Sequence, residues 1–69
     1  MLTAKKIIKA IGNPYLNLYR GKGYQYFTYY DGSYYETYSV YINRINDYSL
    51  DQWVAEGEDF LNKIKTEKY

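Results

Sequence analysis

At 69 residues the chain amounts to one domain, near the lower limit for a core that folds without staples. It holds no Cys and no His, which excludes disulfides and any Cys or His metal site and leaves packing or self-association to stabilise the fold. The net charge of +1 hides two poles: Lys5, Lys6, Lys9, Arg20 and Lys22 without an acid give residues 1–30 a charge of +5, whereas Asp31, Glu36, Asp47, Asp51, Glu56, Glu58 and Asp59 against Arg44 give residues 31–62 a charge of −6. Such poles suit attraction within the fold or orientation of a partner, and they lack the broad basic face of a general nucleic-acid binder.

The opening MLTAKKIIKAIG is too rich in lysine for a signal peptide, and no run reaches transmembrane length, so the cytoplasm is the expected location. Thr3 is placed to cap a first helix, with Leu2 and Ile7 as a hydrophobic staple across the cap. Ala4, Ile7, Ile8 and Ile11 then form one apolar stripe, and Gly12-Asn13-Pro14 ends the helix.

Three strands follow. Residues 15–20 (YLNLYR) alternate, GKG at 21–23 signals a turn, residues 24–30 (YQYFTYY) form the second strand, and Asp31-Gly32 is the strongest hairpin signal in the chain. The third strand is expected from about Tyr34 to Ile45. A two-residue Lys22-Gly23 turn pairs Leu18 with Phe27 and Leu16 with Tyr29. A two-residue Asp31-Gly32 turn pairs Tyr29 with Tyr34, Phe27 with Glu36 and Gln25 with Tyr38. Both registers set Leu16, Leu18, Phe27, Tyr29, Tyr38, Val40 and Ile42 on one face, with Glu36 forced to the sheet margin. A three-residue turn at 31–33 would reverse the parity and bring Tyr24 and Tyr26 inward.

The second helix begins at Ser49, where Gln52 completes a capping box and Tyr48 can staple onto Trp53. Leu50, Trp53, Val54, Gly57, Phe60, Leu61 and Ile64 share its apolar stripe; Gly57 weakens the helix by roughly 1 kcal/mol and implies close approach to the sheet or the first helix. The expected fold is therefore α+β, a single domain over residues 1–69 in the order α-β-β-β-α, a three-stranded antiparallel sheet with two helices packed on one face. Two helices cover one face of so small a sheet. The other stays open.

Eight of the chain's tyrosines fall in residues 24–42, and the alternation directs many of them to that open face. It carries Tyr15, Asn17 and Tyr19, then Tyr24, Tyr26, Thr28 and Tyr30, then Tyr35, Thr37, Ser39, Tyr41 and Asn43. Each Tyr can bury roughly 150–250 Å² in a contact and loses little rotamer entropy doing so, which is what protein contact surfaces favour. The plainer reading is a solvated ladder, since tyrosine suits strands and cross-strand pairs contribute about 0.2–1 kcal/mol each. A homodimer that buries the face is a third reading.

Arg20, Lys22 and Arg44 flank the tyrosines in sequence, as cations do where sheets stack single-stranded bases, so a nucleotide or single-stranded nucleic-acid binder is the alternative function, including a sponge for a cyclic nucleotide. The G-K-G run lacks the strand-to-helix context of a phosphate loop. The helix order is that of double-stranded RNA-binding domains, but those carry lysines at the start of the second helix, where this chain has Asp51, Glu56, Glu58 and Asp59. Without His or Cys the usual bases and nucleophiles near neutral pH are missing, so neither catalysis nor a cofactor is expected.

The runs NPYLNLYRGKGYQYF, ETYSVYINRIN and DQWVAEGEDF resemble a group of small phage and prophage proteins. The resemblance implies a phage or mobile-element setting, in which stand-alone proteins of this size block restriction or CRISPR nucleases and other immune effectors stoichiometrically. The expectation is a non-catalytic module that binds a host protein, with Tyr19, Tyr24, Tyr26, Tyr35 and Tyr41 as anchors, Tyr15 and Tyr30 beside them, and Arg20, Lys22 and Arg44 at the rim.

Overall fold

Why the helices start and stop where they do is visible in their end groups. The computed structural model describes residues 1–68; Tyr69, part of the expected domain, lies outside the described residues. Helix α1 spans Ala4–Ile11, with the Thr3 hydroxyl accepting from the Lys6 N–H at 3.2 Å and Gly12 closing it in the left-handed conformation at φ 80°. Helix α2 spans Leu50–Lys68 and opens on the expected reciprocal box. The Gln52 N–H donates to Ser49 Oγ at 3.1 Å, and the Ser49 N–H donates to Gln52 Oε1 at 2.8 Å. The Tyr48 ring meets Trp53 edge-on at 5.2 Å, completing the staple.

Between the helices, strands β1 (Leu16–Arg20), β2 (Gln25–Tyr30) and β3 (Tyr35–Val40) form one antiparallel sheet in sequence order. The fold is α+β in the order α-β-β-β-α, as the patterning predicts. Leu16, Leu18, Phe27, Tyr29 and Val40 from the sheet join Ile7 of α1 and Trp53, Phe60 and Ile64 of α2 in one core. Both helices therefore sit on the same side of the sheet. Leu50, expected in the buried stripe, stands exposed in the first turn of α2.

The first hairpin has the expected register, Leu18 opposite Phe27 and Leu16 opposite Tyr29, closed by a hydrogen bond from the Gly21 N–H to the Tyr24 carbonyl at 2.8 Å. The second is corrected. Its turn is centred on Gly32-Ser33 instead of Asp31-Gly32, so Phe27 pairs with Tyr38 and Gln25 with Val40. Asp31 causes the shift: its Oδ1 accepts from the Ser33 N–H at 3.0 Å and the Tyr34 N–H at 2.9 Å, while Gly32 takes φ 96°. The slip is two residues, and with a side-chain period of two every residue keeps its face. Glu36 falls opposite Tyr29 on the outer strand β3, partly buried at the margin.

Strand β3 also ends earlier than the alternation predicts. A tight turn from the Ile42 N–H to the Val40 carbonyl, 2.8 Å, breaks the ladder. The chain then crosses to the helix side as a 3₁₀ turn at Ile45–Asp47. That crossing satisfies Trp53, whose indole N–H is buried and donates to the Ile45 carbonyl at 2.7 Å. It also satisfies Gln25, a buried amide that donates to the Asn43 carbonyl at 3.3 Å. Gly57 lies where a Cβ would overlap Cδ1 of Ile11 and come within 3.5 Å of the Phe27 ring, so its missing side chain lets α2 pack tightly on both α1 and the sheet.

Candidate protein-contact face

The uncovered side of the sheet is built by the residues that alternate with the core. On β1 these are Asn17 and Tyr19, on β2 Tyr26, Thr28 and Tyr30, and on β3 Tyr35, Thr37 and Ser39. The rings of Tyr19 and Tyr26, directly opposite across β1 and β2, lie 5.7 Å apart. Tyr24 follows at 5.9 Å from Tyr26, and Tyr41 at 6.0 Å from Tyr24, so four tilted rings run without interruption across the sheet. Tyr30 and Tyr35 form a second, T-shaped pair at 6.1 Å toward the other hairpin. Between the two groups lies a shallow groove of about 570 Å³, with Asn17 and Thr28 on its floor and Tyr19, Tyr26, Tyr30 and Tyr35 around them.

This face is held rather than loose. A Cβ at Gly21 would overlap the Tyr24 ring, so the glycine allows that ring to lie flat over the first turn. Tyr24 and Tyr26 are half-buried by their neighbours, whereas Tyr19, Tyr30, Tyr35 and Tyr41 are exposed. No charged residue lines the groove. Tyrosine hydroxyls beside small polar groups on a neutral floor can accept an apolar surface at the rings and hydrogen-bond at their tips.

Tyr15 is not part of the ladder. It precedes β1, and its ring packs edge-on against Tyr29 of the covered side at 6.0 Å. Asn43, expected on the open face, lies beyond the end of β3 and lines a different hollow. The arginines go with it. Arg20 shares the parity of Leu16 and Leu18, and together with Arg44 it borders a hollow of about 360 Å³ whose other walls include Thr3, Gln25 and Asn46. Neither arginine flanks the tyrosine groove. Lys22 sits in the first hairpin turn, exposed.

Two further tyrosines mark the boundary between the faces. Tyr38 leans to the helix side, stacked on Phe60 at 5.6 Å, and its hydroxyl donates to Glu56 Oε2 at 2.8 Å. That bond to a carboxylate, aided by desolvation, pushes the Tyr38 phenol up to about 12. Tyr34 packs edge-on against Tyr29 at 6.4 Å and donates to Glu67 at 3.3 Å; desolvation first, then the nearby Glu36 and Glu67 carboxylates, raise its phenol as well.

Among the described residues the one ion pair joins Lys63 to Glu67 within α2, at 4.0 Å. No group of three or more acidic, His or Cys side chains that could hold a metal occurs among the described residues, and none of their helices is long and apolar enough to cross a membrane. Comparison with known proteins finds no matching family model, no similar curated protein and no similar solved structure.

Proposed function

We propose that the chain is a non-catalytic binding module that docks a protein through the tyrosine face. The observation that supports this most directly is the continuous run of rings from Tyr19 through Tyr26 and Tyr24 to Tyr41, left uncovered by both helices. With Tyr30 and Tyr35 the face holds six tyrosines, and at roughly 150–250 Å² each, half of them exceed the roughly 400 Å² of apolar patch tolerated on an idle surface. In the phage or mobile-element setting that the resemblance implies, the partner is a host defence enzyme in the cytoplasm, blocked one to one. The anchors are Tyr19, Tyr24, Tyr26, Tyr35 and Tyr41.

The placement of the arginines favours a protein over a single-stranded nucleic acid. Base stacking on the tyrosines calls for cations alongside them, and Arg20 and Arg44 border the hollow on the helix side instead. The test uses the intact chain as bait in lysate of the bacterial host. A protein retained by the wild type and lost with Tyr26→Ala or Tyr41→Ala, the helical circular dichroism unchanged, supports the reading. Retention by both variants overturns it, and so does an affinity that falls steeply with salt, the signature of phosphate contacts. Sedimentation of the chain alone separates this reading from a homodimer, which would double the mass and bury the same rings.

A further inference from the structure

The hollow at the end of the sheet has a chemistry opposite to that of the tyrosine groove. Its volume is about 360 Å³, and none of its lining residues is acidic. Arg20 enters from β1, Arg44 from the crossing that follows β3, and Thr3 and Ala4 from the start of α1. Asn43 and Asn46 line it beside them, with Asn46 Oδ1 accepting from the Leu2 N–H at 3.2 Å and the Asn43 carbonyl from the Gln25 side chain at 3.3 Å. Neither guanidinium has an ion-pair partner among the described residues. The nearby Asp47 carboxylate is turned onto the Arg44 backbone N–H at 3.3 Å, and Asp47 is absent from the lining.

The end of α1 adds to the same sign of field. The first N–H groups of a helix have no intrahelical acceptor, and here the Thr3 hydroxyl takes the Lys6 N–H and its carbonyl the Ile7 N–H. The first turn of α1 carries no acid to offset the helix dipole, and it holds Lys5 and Lys6 instead. Two arginines, two asparagines and the start of α1 thus line one concave space. Guanidinium groups pair bidentately with tetrahedral oxyanions, and each such charge-assisted pair is about twice as strong as a neutral hydrogen bond.

We propose that this hollow is a phosphate-binding site, separate from the tyrosine face, in which Arg20 and Arg44 clamp a phosphate group at the start of α1. The volume admits the phosphate of a small molecule and leaves its remainder in solvent. The site does not depend on the docking role of the tyrosines.

The test is a titration of the full-length chain with inorganic phosphate at constant low ionic strength, followed by backbone amide NMR shifts. Saturable shifts at Ala4, Lys5, Arg20 and Arg44 are expected, with Tyr19, Tyr26 and Tyr30 unmoved. Arg20→Gln and Arg44→Gln each weaken binding by about tenfold, consistent with loss of a charge-assisted pair. Lys22→Gln and Tyr26→Ser leave it within about twofold, which also keeps the result separate from the docking role. Because both arginines are exposed, the single variants stay folded, and their amide spectra serve as the check. A mononucleotide that binds tighter than inorganic phosphate with the same dependence on both arginines assigns the phosphate to a nucleotide; equal affinities assign it to the free ion. Absence of saturation, indifference to both Arg→Gln changes, or identical shifts from acetate would overturn the proposal.

Discussion

Tyr29 and Tyr30 are neighbours in β2 with the same side chain, yet Tyr29 is 9% exposed and Tyr30 is 60% exposed. The difference is one step of the pleat. Tyr29 faces Leu16 and the helices, where its hydroxyl finds Asp31 Oδ2 at 3.1 Å, while Tyr30 faces the groove with Tyr35. The same contrast runs through the whole sheet: one side is filled by Leu16, Leu18, Phe27 and Val40 beneath Trp53 and Phe60, and the other is a tyrosine surface that neither helix covers. On the proposed reading, stability and recognition fall to opposite faces of a sheet only one residue thick. Substitutions should separate accordingly, the covered face changing folding and the open face changing binding.

The largest effect belongs to the centre of the covered face. Phe27 is fully buried and touches both Trp53, at 6.1 Å edge-on, and Phe60, at 6.3 Å. Phe27→Ala is expected to cost about 3–5 kcal/mol, enough to unfold most of a domain this small at 25 °C, measured as a lost urea transition. A folded Phe27→Ala variant would show that the covered face is not the source of stability. Next comes the close approach at Gly57. Gly57→Val must displace Ile11 and crowd Phe27, and a loss of about 2 kcal/mol is expected despite the better helix propensity of the new residue. Gly57→Ala, whose Cβ meets mainly the movable end of Ile11, costs less.

The margin between the faces should respond to pH. Below the ordinary phenol range, near 10, Tyr38 is neutral in both states and its bond to Glu56 contributes fully. Because its folded value is raised to about 12, the unfolded chain ionises first as pH climbs, and that contribution is lost between about 10 and 12. Tyr38 is 37% exposed, so solvent screens the bond, and Tyr38→Phe is expected to cost about 0.5–1 kcal/mol at pH 7. The gap between wild type and Tyr38→Phe should close in denaturation curves taken above that window. A gap that stays constant would mean the hydroxyl is not what Glu56 holds.

Much of this two-sided design is legible in the sequence because it rests on periods. The stripe of α2 and its S-x-x-Q start mark that helix, and alternation within residues 15–20 and 24–30, joined by the turn at 21–23, assigns those residues to faces. The position of the second turn is not legible, since a turn at Asp31-Gly32 and one at Gly32-Ser33 preserve the same parity. The Asp31 carboxylate decides between them, by accepting from two N–H groups that only the second arrangement presents. The early end of β3 is hidden for another reason. Alternation continues through Ile42, but the buried indole of Trp53 and amide of Gln25 need the Ile45 and Asn43 carbonyls, which draws the chain away from the sheet. That detour gathers Thr3, Arg20, Gln25 and Arg44 around one hollow, although no short motif links residues so far apart in the chain.

The smallest expected change in stability is the most telling for function. Tyr41 is 83% exposed, lies outside the ladder of backbone hydrogen bonds, and among the described residues its ring meets that of Tyr24 alone, at 6.0 Å. Removing it sacrifices at most a single aromatic pair at the surface, so Tyr41→Ser should alter the unfolding free energy by no more than about 0.5 kcal/mol. If the open face docks a protein, the same change removes an anchor at the end of the ring ladder, and anchors of this type carry about 2 kcal/mol or more of binding. Paired urea and binding measurements on Tyr41→Ser therefore set one face against the other in a single variant: unchanged folding with affinity reduced about thirtyfold or more is the expected outcome. A drop in stability with unchanged affinity would assign Tyr41 to the fold and return the open face to a solvated ladder.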